Sequence, residues 1–328
     1  MTQTSATAPG DAVTVLVYFP GPQHDERYSA WIRERYPALR VLSANDAASL
    51  DRYVAEADVL LAQHFPVEVF DKARRLRWFQ STNAGVDSIF PIRDRVGDLT
   101  VTSARGMHGE VIADFVMAGI TMMHWDFPRF MREQTRREWH ARGVAPLAER
   151  VLGVVGLGSI GTAIARRAKG AGMTVVGSKR DVTQSVAGVD RLFPPTGLEE
   201  LLQLSDFVVL AVPQVPETTG LIGREQLRLM GDTAFLVNIA RGSVCVEGEL
   251  IDALRAGTIA GALLDVFERE PLPADSPLWS MPNVIVTPHT AGYPSNYDAR
   301  AFEIFGDNLQ RFLDNKSLRN VVDLRQGY

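Results

Sequence analysis

Cysteine is nearly absent from this chain: Cys245 stands alone among 328 residues. A single thiol excludes any disulfide within the chain and argues against a cysteine-built metal site. An excess of positive charge is missing too. The formal net charge is −5, so no general basic field is there to recruit nucleic acid or an acidic membrane surface. No stretch approaches the roughly 20 apolar residues of a membrane span. Met1 to Ala12 lacks the basic start and apolar core of a signal peptide, so a cytoplasmic address is expected. In that compartment the sequon Asn315-Lys316-Ser317 carries no meaning. His64, His108, His124 and His140 show no metal-ligand spacing, so no metal is expected. Internal repeats and low-complexity segments are likewise not evident.

What the chain has is an ordinary globular composition, 46% apolar and 22% charged, at a length that suits two domains. Strand-like and helix-like segments alternate from end to end, which predicts a parallel α/β protein. Val13 to Phe19 reads as a strand, Pro20-Gly21-Pro22 as a turn and His24 to Tyr36 as an amphipathic helix. Short apolar runs at Val59 to Ala62 and Leu76 to Phe79 continue a first α/β unit that closes near Val101. His108 to His124 is a long apolar helix, and Phe130 to Trp139 a second helical stretch dense in Arg and Glu. Such helices between two α/β units either bury a face against another subunit, making a homodimer, or connect domains within one chain. The alternation then restarts at Val151 to Gly156 and Met173 to Gly177. It continues through Phe207 to Val212, Ala234 to Asn238, Ile259 to Val266 and Val284 to Thr287. Six strands in such a series fit a doubly wound nucleotide-binding sheet. A final helix is expected over Ser295 to Asp314.

Val155-Gly156-Leu157-Gly158-Ser159-Ile160-Gly161 is a G-x-G-x-x-G turn directly after a strand and opening a helix, the context a dinucleotide site requires. Gly156 permits the turn, Gly158 lets backbone approach a pyrophosphate, and Gly161 lets helix and strand pack closely. The helix start at Ser159 and Ile160 offers N–H groups to the phosphates. The second strand ends at Val176-Gly177-Ser178-Lys179-Arg180. The carboxylate that usually bonds the ribose of NAD is missing there. A hydroxyl at Ser178 with cations at Lys179 and Arg180 suits a 2′-phosphate instead, so NADP(H) is expected to be preferred and NAD(H) to remain possible. Asp181 lies just beyond and would serve NAD if the turn falls elsewhere than at Ser178.

Three further motifs follow predicted strands, whose C-terminal ends are where an open parallel sheet binds ligands. They are Asn238-Ile239-Ala240-Arg241-Gly242, Leu264-Asp265 through Glu270-Pro271-Leu272, and Thr287-Pro288-His289-Thr290-Ala291-Gly292. Together they bring a guanidinium, an acid and an imidazole to one end of one sheet. With the Gly-rich turn they resemble the D-isomer-specific 2-hydroxyacid dehydrogenase family over nearly the whole chain. Asn83-Ala84-Gly85-Val86-Asp87 is similar to that family's substrate-domain loop, and Val215-Pro216-Glu217-Thr218-Thr219-Gly220 to a turn of its cofactor domain.

The resemblance implies two doubly wound parallel-sheet domains with a cleft between them. One is a flavodoxin-like substrate domain, residues 1–103 and 291–328. The other is a Rossmann cofactor domain, residues 104–290, which includes the long dimerisation-type helix 108–124. It further implies that Arg241 grips a 2-oxo acid, that His289 moves the proton, and that Glu270 hydrogen-bonds His289 and fixes its tautomer. Glu270 rather than Glu268 is assigned because it precedes Pro271 and stands five residues after Asp265. Backbone N–H groups at Ala84 and Gly85 would receive the substrate carboxylate; Ala240 and Asp265 would face the cofactor, Asp265 on its nicotinamide side. The segment Trp78 to Asp87 looks most like glyoxylate/hydroxypyruvate reductases, so a small 2-oxo acid is the first expectation. D-lactate or aryl-pyruvate dehydrogenases differ only in the pocket. A 3-phosphoglycerate dehydrogenase would want a phosphate site, a formate dehydrogenase a Gln in place of Glu270, and a dinucleotide-binding corepressor long interaction tails. Tyr293 departs from the small residues common after the histidine and would crowd or line the pocket. Trp139 would reach a partner's site or stay on its own surface, and Trp78 is expected in the core.

Overall fold

The computed structural model describes residues 12–21 and 23–325. The readings made on residues 1–11 and on Pro22 lie outside the described residues. The chain divides into two compact units, one running through Met107 and resuming at Ser295, the other spanning His108–Pro294. The crossings fall a few residues C-terminal to those expected from the sequence.

In the first unit the strands are Thr14–Tyr18 (β1), Arg40–Ala44 (β2), Val59–Ala62 (β3), Trp78–Ser81 (β4) and Thr100–Thr102 (β5), with helices His24–Arg35 (α1) and Ala47–Tyr53 (α2) between them. The sheet order is β2-β1-β3-β4-β5 and every pairing is parallel. This is the flavodoxin-like order, in which helices cover both faces and the strands read as apolar runs. β1, β3 and β4 obey that rule and are buried almost throughout. β2 is an edge strand with a mostly half-buried pattern, which is why no apolar run announces it. α2 is started by Asp46, whose carboxylate accepts the Ser49 N–H at 2.7 Å. The closing helix Tyr297–Leu313 returns to this unit. Phe305 stacks on the fully buried Trp78 with ring centroids 5.3 Å apart. The Trp78 indole N–H donates to Thr102 at 2.7 Å, so this large side chain is buried with its one polar atom satisfied.

The second unit opens with Gly109–Trp125 (α3) and Phe127–Arg136 (α4). The helix expected over Phe130 to Trp139 therefore starts and stops earlier. Pro128 sits in the first turn of α4, where its missing N–H costs nothing, and Arg137 adopts a left-handed conformation (φ 59°) that ends it. Trp139 lies beyond the helix and is 95% exposed. α3 packs through small residues on the helix Ser159–Gly170 and on the following sheet; at Gly109 a side chain would meet Ala163 of that helix, and at Gly119 it would meet Leu263 of the strand Gly261–Leu264.

The sheet comprises Val151–Val155 (β6), Thr174–Ser178 (β7), Arg191–Phe193 (β8), Phe207–Leu210 (β9), Phe235–Asn238 (β10), Gly261–Leu264 (β11) and Val284–Val286 (β12). Helices Ser159–Gly170 (α5), Leu198–Leu204 (α6), Arg224–Met230 (α7) and Glu247–Ala256 (α8) connect them, and the chain's closing helix is α9. The order is β12-β11-β10-β9-β6-β7-β8, with every pairing parallel. Six strands were expected and seven are present. The added one, β8, is a three-residue edge strand with an exposed arginine, too short to carry a period of its own. The chain reverses direction of winding between β6 and β9, the switch point at which a doubly wound sheet opens a crevice.

Candidate active site

The Gly-rich turn leaves β6 at that switch point. Gly156 has φ +101°, and a Cβ there would press on the Ala211 carbonyl. A Cβ at Gly161 would overlap the carbonyl oxygen of Gly156, so α5 can lie this close to the turn only with glycine at that position. Gly158 differs: its φ is −81° and a Cβ would meet nothing within 4 Å. The protein itself places no demand for glycine there, which fits a residue kept small for a ligand. The N-cap of α5 is Gly158, which has no side chain to cap it. Gly158 and Ser159 are exposed and Ile160 half-buried, so the first turn presents uncapped N–H groups to an anion. These features fit the phosphates of a dinucleotide.

The turn rests on the end of β7. The N–H groups of Gly156 and Leu157 both donate to the Ser178 carbonyl, at 3.2 and 3.0 Å. Ser178 is buried, Lys179 half-buried and Arg180 exposed. Asp181 is turned into its own loop, accepting from the backbone N–H of Thr183 at 2.9 Å and from its hydroxyl at 2.5 Å. These bonds, helped by the charge of Lys179, hold its carboxyl below the usual carboxylate range.

β10, β11 and β12 are neighbours, and their C-terminal ends carry Arg241, Asp265 with Glu270, and His289. Glu270 bridges two elements: one carboxylate oxygen accepts the Phe267 N–H at 3.0 Å, and the other lies 2.7 Å from Nδ1 of His289. His289 and Glu270 are about half and a third exposed. His289 holds φ +49°, a left-handed conformation uncommon for a residue with a side chain. Asp265 holds it there. The Asp265 carbonyl accepts the His289 N–H at 2.8 Å. Its buried carboxylate accepts the Thr290 and Ala291 N–H groups at 2.9 and 3.0 Å and the Thr287 hydroxyl at 2.7 Å. Buried polar oxygens are costly unless hydrogen-bonded, and these have donors.

Arg241 is half-buried, and its Nη1 donates to the Ala240 carbonyl at 2.8 Å. Gly242 allows the Arg241 turn to touch backbone at Phe267 and Glu268, where any side chain would overlap; the arginine turn and the Glu270 segment are thus packed main chain to main chain. Ala84 and Gly85 belong to the other unit, on the loop after β4. Tyr297 of α9 secures that loop, its hydroxyl donating to the Thr82 carbonyl at 2.7 Å.

Sequence reasoning missed the residues that hold this site: Asn238, Thr287 and the Thr183 tether. Asn238 carried a signal, since an Asn two and three residues before its backbone partners is an Asx-turn spacing. A further grouping lies at the end of α4 and just beyond it. Glu133, Glu138 and His140 bring ligand-type atoms within 4.8 Å of one another. Arg129 and Arg136 pair with the two carboxylates, so guanidinium charge already occupies the place a cation would take. Tyr293 is 56% exposed.

Residues 117–291 match the family model for the NAD-binding domain of D-isomer-specific 2-hydroxyacid dehydrogenases. The chain is 38% identical over 273 residues to a glyoxylate reductase of Korarchaeum cryptofilum, covering 80% of this chain and 81% of that protein. Among solved structures it is similar to a D-isomer-specific 2-hydroxyacid dehydrogenase of Xanthobacter autotrophicus Py2 in complex with NADPH and MES. The TM-score is 0.87 and the identity 33%, over 97% of this chain and all of that one. It is also similar to an NADPH-dependent glyoxylate/hydroxypyruvate reductase of Sinorhizobium meliloti in complex with NADP and sulfate (TM-score 0.86, 26% identity, 97% of this chain and all of that one). By sequence, by fold and by the motifs at the ends of its strands, this oxidoreductase belongs to the D-isomer-specific 2-hydroxyacid dehydrogenase family.

Proposed function

We propose that the chain is an NADPH-preferring reductase of small 2-oxo acids, producing the D-2-hydroxy acid and working as a cytoplasmic homodimer. The observation that carries the reading is the 2.7 Å contact between Glu270 and His289 Nδ1, at the sheet end that also bears Arg241. With Nδ1–H engaged by Glu270, Nε2 is the nitrogen left to serve the substrate. Bound NADPH supplies a hydride to the carbonyl carbon. His289, doubly protonated, gives the Nε2 proton to the carbonyl oxygen and is left neutral; in the oxidative direction neutral His289 takes the hydroxyl proton back. Arg241 provides the planar fork that a carboxylate and adjacent carbonyl need. Ala240 and Asp265 flank the cofactor, Asp265 on its nicotinamide side.

NADP preference is supported by Ser178, Lys179 and Arg180 at the end of β7 and by Asp181 being tied to Thr183. Both solved relatives described above hold NADPH or NADP. The small 2-oxo acid is supported by the relatives named glyoxylate reductase. A homodimer is supported by Trp125, Phe127, Met131 and Trp139, large apolar side chains exposed along one stretch of chain.

The deciding experiment follows oxidation of NADPH and NADH in parallel with glyoxylate, hydroxypyruvate, pyruvate and phenylpyruvate. Turnover of glyoxylate or hydroxypyruvate with NADPH favoured is expected. Preference for phenylpyruvate would move the enzyme to the aryl-pyruvate class, and equal use of NADH would remove the role given to Lys179 and Arg180. A Ser178→Asp, Lys179→Ser variant is expected to shift the preference toward NADH.

A further inference from the structure

Asn238 ends β10 and is 1% exposed. Its side-chain oxygen accepts the Ala240 N–H at 3.1 Å, and its side-chain nitrogen donates to the Arg241 carbonyl at 3.0 Å. The two groups it holds bracket one peptide unit, the bond between Ala240 and Arg241. The carbonyl of the peptide they flank accepts from the Arg241 guanidinium, 2.8 Å from Nη1. The main chain of Asn238 runs the other way. Its carbonyl accepts the Asp265 N–H at 3.1 Å, and the Asp265 carbonyl accepts the His289 N–H at 2.8 Å. A short buried relay thus joins the backbone root of Arg241 to that of His289 across three adjacent strands.

We infer that Asn238 is a positioning residue for substrate capture: its carboxamide aims the Arg241 guanidinium at the 2-oxo acid and couples that aim to the His289 loop. No other uncharged side chain of this size offers one acceptor and one donor at the same reach. Aspartate keeps the shape and the acceptor but turns an anionic oxygen on the Arg241 carbonyl. Serine serves one partner at most. Loss of a single buried partner is felt in full at the group left behind, and here that group belongs to the residue carrying the guanidinium.

The inference rests on the reading that Arg241 grips the substrate, and the test separates the two. Affinity for oxamate, a 2-oxo acid mimic that cannot be reduced, is measured on enzyme saturated with NADPH. The variants are Asn238→Asp, Asn238→Ser, Arg241→Ala and Asn238→Asp combined with Arg241→Ala. Asn238→Asp and Asn238→Ser are expected to weaken oxamate about tenfold, with the NADPH dissociation constant unchanged within about twofold. With Arg241 already removed, Asn238→Asp is expected to cost almost nothing further, because residues acting through one group are not additive. Equal losses with and without Arg241 would make Asn238 a general support of the fold and overturn the inference. So would unchanged oxamate affinity in both single Asn238 variants while Arg241→Ala binds poorly. Full affinity in Arg241→Ala would overturn the reading of Arg241 itself and the inference with it.

Discussion

His289 illustrates how much a single side chain here depends on its neighbours. Its left-handed backbone costs on the order of 1 kcal/mol or more and is offset by the three consecutive N–H groups, His289 to Ala291, that Asp265 binds. The ring is then presented with Nδ1 on Glu270. Replacing His289 with Ala is expected to lower kcat by at least about a thousandfold, the loss of general acid–base catalysis plus that of a positioned donor. NADPH affinity is expected to stay unchanged. Stopped-flow turnover and a fluorescence titration of NADPH check both halves, and a variant that still turned over near the parent rate would remove His289 from the chemistry. Cys245 makes the opposite case. It is buried, and burial, with the charges of Glu268, Glu247 and Glu249, pushes its thiol up to about 12. The thiolate is the reactive form, so native protein is expected to resist alkylation from pH 7 to 9, while urea-unfolded protein reacts faster as the pH rises through about 8.5. The sign for stability follows: the raised value costs nothing below the unfolded pKa and withdraws stability as the pH climbs above it. Mass spectrometry after iodoacetamide treatment reads the outcome, and rapid native labelling would contradict the burial.

At the scale of elements, the β6 turn and α5 form a pair in which two glycines look alike in sequence and differ in structure. Gly161 touches the Gly156 carbonyl, whereas Gly158 faces open space. Gly161→Ala is expected to force α5 away from the turn at a cost of about 1–3 kcal/mol, lowering Tm and dinucleotide affinity together. Gly158→Ala is expected to leave Tm within about a degree and still weaken NADPH binding several-fold, because the added methyl occupies space only a ligand uses. Calorimetry with NADPH titration distinguishes them; a Gly158→Ala protein with parent affinity would show that the phosphates do not pass there. The sequence disclosed both positions through the G-x-G-x-x-G spacing but could not rank them, since spacing is blind to what a Cβ would meet. Edge elements were hidden for a related reason. β2 and β8 pair on one side only and carry polar residues, so they leave no apolar run to read.

For the whole molecule, the exposed Trp125, Phe127, Met131 and Trp139 mark the α3–α4 region as the face on which a second copy is proposed to sit. Burying such side chains contributes roughly 1.5–3 kcal/mol each, and aromatic anchors of this kind dominate interfaces. Sedimentation of the parent protein is expected to give a dimer at micromolar concentration, and Met131→Glu with Trp139→Ser to give a monomer whose thermal stability falls with the lost partner. A parent protein that sediments as a monomer would leave this face without its proposed occupant. Sequence by itself determined the elements whose signal is local: the apolar runs of buried parallel strands, the Gly-rich turn, and the Arg, Glu and His that follow strands β10, β11 and β12. Those depend on residue type and spacing along the chain. Only the tertiary structure decided that Asp265 is spent holding the His289 loop, that Asp181 is drawn into a bond with Thr183, and that Asn238 clasps the arginine turn. The Asp265 bonds form because β11 and β12 lie side by side, which no linear pattern records, whereas the Asp181 and Asn238 bonds span two or three residues, a spacing that permits the contact and leaves the surrounding packing to decide that it forms.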